Sequence, residues 1–257
     1  MHDIIFIFVK KKGWAMGLWS KIKSAAKKVW RVVKAVVRVV VRAIITIGNS
    51  LTFGIYDLIF GFLTWPPKKL RLHVFILTAP PSSGGGDVVP AGPVASEQLV
   101  LDAVERTKQL YKDRFNVKVT PYSKTFVEVL TEEAPPEVLD FECGASQEFG
   151  VAGEFFAKHL AGWNAVPISG TFPVTVFVVR SLKGPLGCSM SVIGDYVVMA
   201  QPGLEDKVAL AHEIGHTCSL WHSGSSDNLM YRQSPAGEKV KGFQKNLVRS
   251  SRHVQYW

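Results

Sequence analysis

Ala211-His212-Glu213-Ile214-Gly215-His216-Thr217-Cys218-Ser219-Leu220-Trp221-His222 is the stretch from which the rest of the chain can be ordered. The surrounding residues, Leu204 to Leu220, are expected to form a helix. On a helix His212 and His216 are one turn apart and project from the same face. Two neutral imidazoles placed in this way can bind one zinc ion at about 2.0–2.1 Å. Glu213 neighbours the first imidazole and points elsewhere, but it can reach a water whose pKa zinc lowers to about 7. It would take that proton as general base and later deliver it to a leaving amine. Such a site needs a third ligand and an open fourth position. His222 stands six residues beyond His216, too far to share the same straight helix face. The chain must turn sharply between them for His222 to serve.

The residues downstream extend the pattern. Ser223 follows His222, and Asn228-Leu229-Met230-Tyr231 places a methionine eight residues past that histidine. The whole spacing resembles the metzincin metallopeptidases, whose motif is His-Glu-x-x-His-x-x-Gly-x-x-His, and within them the matrixin branch. The resemblance implies that His212, His216 and His222 are metal ligands and that Glu213 is the general base. It further implies that Met230 floors the site in a Met-turn and that Tyr231 belongs to the wall of a substrate pocket. Ser219 departs from the family, which has glycine there to let the helix turn in a left-handed conformation. A side chain in that conformation costs roughly 1–2 kcal/mol, and Asp227 is the alternative third ligand. The chain lacks the cysteine switch and the calcium and structural-zinc loops of animal matrixins, as a minimal, microbial relative would. The remaining histidines, His2, His73, His159 and His253, have no ligand spacing and read as ordinary.

Upstream of the motif, Leu70 to Thr78 reads as a strand, with Leu72, Val74 and Ile76 alternating with Phe75 and Leu77. Ala79 to Pro93 is rich in Pro, Gly and Ser and reads as a flexible loop. Ser96 to Phe115 reads as a helix capped by Ser96, with Leu99, Ala103, Thr107, Leu110 and Tyr111 on one stripe. Val117–Tyr122, Pro173–Val179 and Asp195–Ala200 read as strands, and Gly153–Leu160 and Phe243–Val254 as helices. The order implies an α/β (α+β) layer domain from about residue 70 to 257. By resemblance this would be a twisted mixed sheet with a backing helix, an active-site helix and a C-terminal helix. The strand Asp195–Ala200 would correspond to the edge strand that pairs with an extended peptide.

The chain has 257 residues, 47% of them hydrophobic, and a net charge of +9. The charge is concentrated at one end. Residues 1–71 hold fourteen Lys and Arg against two acids, whereas residues 72–257 are slightly acidic. Within residues 1–69, Leu18 to Ile45 reads as a cationic amphipathic helix, because Lys27, Arg31, Lys34, Arg38 and Arg42 recur at helical steps. Met16 directly precedes Gly17-Leu18-Trp19-Ser20-Lys21-Ile22-Lys23, which resembles the start of dermaseptin-type cationic membrane peptides. The apolar stretch Ala43–Trp65 is long enough to span a bilayer, although Asp57 costs roughly 2.5–3.5 kcal/mol there. A helix lying in the interface and a re-entrant element are the alternatives. Cys143, Cys188 and Cys218 lack the short spacings of zinc or redox motifs. They read as buried apolar groups or as one disulfide with one thiol left over.

These features lead to the expectation of a zinc-dependent endopeptidase acting on protein or peptide substrates. It would meet a membrane surface or bilayer through residues 16–65, with the catalytic domain extracytoplasmic or secreted. The alternative is a membrane-active protein whose peptidase domain is subsidiary or degenerate. Nucleic acid is not expected as a partner, because the basic helix carries a dense apolar face.

Overall fold

The computed structural model describes residues 21–33, 36–37, 40, 44, 67–84, 87–160, 172–190 and 196–255. Residues 21–33 are helical, as are the single described positions up to residue 44. The rest of the expected Leu18–Ile45 helix and the apolar stretch Ala43–Trp65, apart from Ile44, lie outside the described residues. Among the described residues no helix is long and apolar enough to cross a membrane.

Strand β1 (Lys68–Ala79) opens the folded domain. A narrow ribbon of β2 (Ser82–Gly84) and β3 (Asp87–Val89) follows, then β4 (Gly92–Pro93), helix α1 (Glu97–Phe115), β5 (Val117–Pro121) and β6 (Val127–Glu133). Helix α2 (Pro136–Leu139), β7 (Asp140–Phe141), a 3-10 turn (Ala145–Phe149) and α3 (Val151–His159) lead on to β8 (Val174–Val179), β9 (Ser181–Leu182), β10 (Gly187–Ser189) and β11 (Tyr196–Ala200). After them come α4 (Gln201–Glu205), α5 (Ala209–Thr217), α6 (Gly242–Arg249) and β12 (Val254–Gln255).

β1 is the hub of an eight-stranded mixed sheet. Along one edge it pairs in parallel with β5 and then β6. Along the other it meets β12 antiparallel, β8 parallel and β4 antiparallel in turn. β11 continues the sheet parallel to β8, and β10 closes it antiparallel to β11. A strand surrounded in this way is covered on both faces, so its sequence is an almost unbroken apolar run. Leu70, Leu72, Val74 and Ile76 enter the core shared with α1 and α5. Phe75 and Leu77 enter a second core, on the other face, built with α2 and α3. In that second core Phe75, Phe156, Phe177 and Tyr196 pack ring to ring at centroid distances of 4.6–5.6 Å. Helix α1 begins where the Ser96 hydroxyl accepts the Leu99 amide at 3.3 Å, and ends at Asn116 in the left-handed conformation.

Several elements differ from the reading of the sequence. The segment Ala79–Pro93 is not a featureless loop: it holds the β2–β3 ribbon, and β4 returns to pair with the end of β1. The helix expected over Leu204–Leu220 is two helices, because Asp206 ends α4 in an extended conformation and restarts the chain as α5. The helix expected to run to Val254 stops at Arg249, and Val254 instead pairs with Leu70. The strand ending at Ala200 is not the sheet edge. Its outer side is covered by β10, a three-residue strand too short to announce itself by alternation. β6 went unread because its two buried residues, Val127 and Leu130, enter opposite cores and show no alternation, and because it ends in exposed Glu132 and Glu133.

A disulfide joins Cys143, in the segment after β7, to Cys188 in the middle of β10, and Cys218 is a buried thiol outside any disulfide. Closing a loop of this length stabilises a chain by roughly 2–4 kcal/mol. The double variant Cys143→Ser/Cys188→Ser is expected to lose about that much in denaturant unfolding. Thiol titration of the unfolded, unreduced protein should find one reactive cysteine, and a count of three would refute the pairing.

Candidate metal centre

α5 is held from both ends and along one side. Leu210, Ala211 and Ile214 are buried in the first core, and the Tyr111 hydroxyl of α1 donates to the Ala211 carbonyl at 3.3 Å. At the start of α5 the Asp206 carboxylate accepts the Val208 and Ala209 amides at 2.8 and 2.9 Å, satisfying donors that a helix start leaves open. Its other oxygen accepts the Ser234 hydroxyl at 2.6 Å. Burial alone would raise this carboxyl, but the hydrogen bonds from Ser234, Val208 and Ala209 outweigh it and hold the group below its ordinary value.

The end of α5 decides whether the third histidine can return. Ser219 adopts φ 68°, the left-handed conformation. Its amide donates to the His216 carbonyl at 3.0 Å, and the Leu220 amide donates to the Gly215 carbonyl at 3.0 Å. This pair of bonds is the Schellman ending, normally built on glycine. The chain makes the turn with serine, exposed to solvent, in that place, and His222 is brought back to the cleft. Asp227 is not drawn in: it is exposed, and its carboxylate accepts the Ser225 hydroxyl and the Lys239 ammonium.

His212, His216 and His222 offer ligand nitrogens that all lie within 4.8 Å of one another. The Nε2 of His216 is 3.1 Å from that of His212 and 3.2 Å from that of His222. Two nitrogens bound to a tetrahedral zinc at 2.0–2.1 Å stand about 3.3 Å apart. The far side of each helix imidazole fixes its proton. His212 Nδ1 lies 2.8 Å from the Leu229 carbonyl and His216 Nδ1 2.8 Å from the Leu220 carbonyl. A carbonyl only accepts, so each Nδ1 carries the hydrogen and each Nε2 presents a bare lone pair. Lone pairs facing each other at 3.1 Å repel unless a cation lies between them, so the donor set fits a metal ion and the three imidazoles can hold zinc. Burial pushes the His216 imidazole down to about 4, against the Leu220 hydrogen bond, so it is neutral and able to ligate at pH 7. Burial lowers His212 as well. His222 is lowered by burial and then by the charge of Arg232.

Glu213 lines the same cleft as the imidazoles and approaches β10. Burial pushes its carboxyl up to about 7, and a hydrogen bond from the Ser189 amide acts in the opposite direction. This contact depends on Gly187, where a Cβ would come within 2.4 Å of Met199 Sδ and 2.9 Å of Glu213 Cγ. Neither Ser189 nor Gly187 stood out in the sequence, since a backbone amide and a missing side chain leave no spacing to read.

Below the cluster, Met230 is fully buried, and its sulfur lies 2.7 Å from where a Cβ on Gly215 would stand. The sulfur therefore packs directly on the backbone of α5 at Gly215. The turn that carries Met230 is set by Asn228, whose side-chain oxygen accepts the Met230 amide at 2.9 Å and whose amide group donates to Gln244 of α6 at 2.9 Å. Asn228 and Gln244 were not recognised as positioning residues from sequence, although Asn228 opens the quoted Met-turn. Tyr231 lines the cleft, with its hydroxyl donating to Gln233 at 3.3 Å. The six residues read from the sequence as site residues thus share one cleft and its floor. The cleft, about 880 Å³, is bounded by α5, by residues 184–189 and by residues 231–236.

No protein-family model matches the chain, and no curated protein matches it. Among solved structures it is similar to metalloproteinase-II from Bacteroides fragilis, with TM-score 0.44 and 14% identity over 72% of this chain and 54% of that one. It is also similar to a zinc-dependent peptidase from Methanocorpusculum labreanum, with TM-score 0.42 and 13% identity over 69% of this chain and 99% of that one. A third is archaemetzincin from Methanopyrus kandleri, with TM-score 0.40 and 15% identity over 70% and 93%. The match to the Bacteroides protein spans about half of its length.

The left-handed Ser219 yields a direct test. Ser219→Gly removes the steric cost of a side chain at φ 68° while adding backbone freedom to the unfolded state. The expected net effect is a gain of about 0.5–1 kcal/mol in unfolding free energy with unchanged metal content. A loss of stability would show that the serine side chain makes a contact worth more than the strain.

Proposed function

We propose that this chain is a zinc-dependent endopeptidase of the metzincin type, cleaving protein or peptide substrates. His212, His216 and His222 would hold the zinc and Glu213 would act as general base. The observation that carries this reading is the convergence of three imidazoles and the half-buried Glu213 carboxyl in one open cleft. When bound, zinc would polarise a scissile carbonyl and acidify the attacking water. Glu213, near the Ser189 amide, would accept the proton of the attacking water on a carboxylate oxygen and return it to the leaving amine. The outer edge of β10 borders the same cleft, so an extended peptide can add to the sheet there by backbone pairing. The matrixin-like assignment is supported by Ser223, by the Met-turn around Met230, and by Tyr231 on the cleft wall. It is weakened by serine at position 219.

Zinc-loaded protein is expected to cleave an unstructured protein substrate and to stop on chelation. Glu213→Gln should keep one zinc per chain and lose roughly 10²–10⁴-fold in kcat. Full activity in a zinc-bound Glu213→Gln protein would end this reading.

A second proposal concerns where the domain works. Helix 21–33 exposes Val29 and Trp30, at 63% and 61%, alongside Lys21, Lys23, Lys27 and Lys28. An apolar and cationic surface of this kind suits an anionic membrane interface. The Cys143–Cys188 disulfide suits an oxidising, extracytoplasmic or secreted setting. Together they favour a peptidase held at a membrane over a membrane-active protein with a degenerate domain, because three imidazoles and Glu213 share one cleft. The full chain should co-sediment with phosphatidylserine vesicles. Replacing the four lysines by Gln should weaken that binding by up to about 1 kcal/mol per residue. Equal binding by both proteins would refute it.

A further inference from the structure

One guanidinium of the cleft, that of Arg232, is not committed to another described residue. Two carboxylates line it, Asp206 and Glu213. Asp206 is committed to Ser234 and to the start of α5, and Glu213 faces the Ser189 amide. Two guanidinium groups also line it. Arg252, 8% exposed, reaches the cavity from the segment after α6. Arg232 follows Tyr231, is exposed, and makes no hydrogen bond or ion pair with another described residue. Arg232 and His222 line the same cleft, so the guanidinium borders the space in which a peptide would lie. A peptide bound along β10 would carry alternate side chains into the cavity. A guanidinium at the mouth offers a planar fork of donors that matches a carboxylate in two parallel hydrogen bonds. A basic side chain at the same place would meet the like charge of Arg232, and repulsion of the wrong partner is as effective a source of selectivity as attraction of the right one.

We infer that Arg232 is a specificity residue that selects an acidic side chain, Asp or Glu, in the peptide segment bound beside the reacting bond. The inference rests on the peptidase reading for the phrase "reacting bond", but selection of acidic peptides can be measured without turnover. The test uses the full, zinc-loaded chain carrying Glu213→Gln and labelled unstructured peptides in which one Glu, Gln or Lys is walked along a neutral sequence. Fluorescence anisotropy gives the affinities at low and high salt. At one or two positions Glu is expected to bind roughly three- to tenfold tighter than Gln, and Lys weaker than Gln. Salt should reduce the difference. Arg232→Ala should bring the Glu-to-Gln ratio close to one, and Arg232→Glu should invert the Glu-to-Lys order, with zinc content and thermal midpoint as controls for folding. Should Arg232→Glu fail to fold, Arg232→Gln reads the same ratio. The chain that retains Glu213 should show the same rank order in kcat/KM. Cleavage without a Glu preference, or a preference unaltered by either Arg232 variant, overturns the inference and leaves the peptidase reading standing. An Arg232-dependent Glu preference in binding, with no cleavage by any zinc-loaded chain, overturns the peptidase reading and supports the inference.

Discussion

Two backbone carbonyls, those of Leu220 and Leu229, determine what the site can be. Each accepts the Nδ1 hydrogen of a helix imidazole and thereby turns a bare Nε2 lone pair toward the other. Without those acceptors either ring could carry its hydrogen on Nε2, and the 3.1 Å contact between the rings would be an ordinary hydrogen bond. With them the contact is repulsive, and the arrangement makes sense only around a cation. The rest of the domain serves to place the two carbonyls. Leu220 sits where it does because Ser219 turns left-handed at the end of α5. Leu229 sits where it does because Asn228 and Gln244 bind each other and shape the turn beneath the helix.

The sheet explains how so short a helix is held accurately. α5 has nine residues, too few to be stable alone in water. Its order comes from tertiary contacts: the apolar side presses on β1, β8 and β11 through the first core, α1 braces it through Tyr111, and Asp206 caps its start. Glu213 emerges on the side of β10, where Gly187 allows helix and strand to approach closely. His212, Glu213 and His216 thus come from one element and His222 from the chain beyond it, and all are aligned by their neighbours.

What could be read in advance follows a physical rule. Long elements covered on both faces, such as Lys68–Ala79 and Val174–Val179, announce themselves as apolar runs, and α1 announces itself by its stripe and by Ser96. The histidines and Met230 were legible because metal chemistry fixes residue type and spacing together. The edge strand was misplaced because Gly187–Ser189 has no room for alternation, and the break at Asp206 was missed because a capping carboxylate looks like any surface acid. The carbonyls that orient the rings were invisible for a simpler reason: every residue has one, and only the fold selects which is used. Ser219 shows the converse. The sequence flagged a departure from glycine, and the backbone adopts the strained conformation regardless, held by two hydrogen bonds.

β10 has three residues, pairs among the described residues with β11 alone, and yet supplies the amide that meets Glu213. A strand this short at a sheet edge belongs to the part of a fold that opens most easily, well below the free energy of global unfolding. The covalent link from Cys188 to Cys143 lowers the entropy of that opened state more than it strengthens any contact in the closed one. In a reducing medium the two cores and the histidine cluster would persist while the rim of the cleft frayed. Hydrogen exchange at residues 187–189 would then rise without any loss of compactness. The bond thus sets how much of the time the cleft keeps its shape, a property that melting temperature alone would not record.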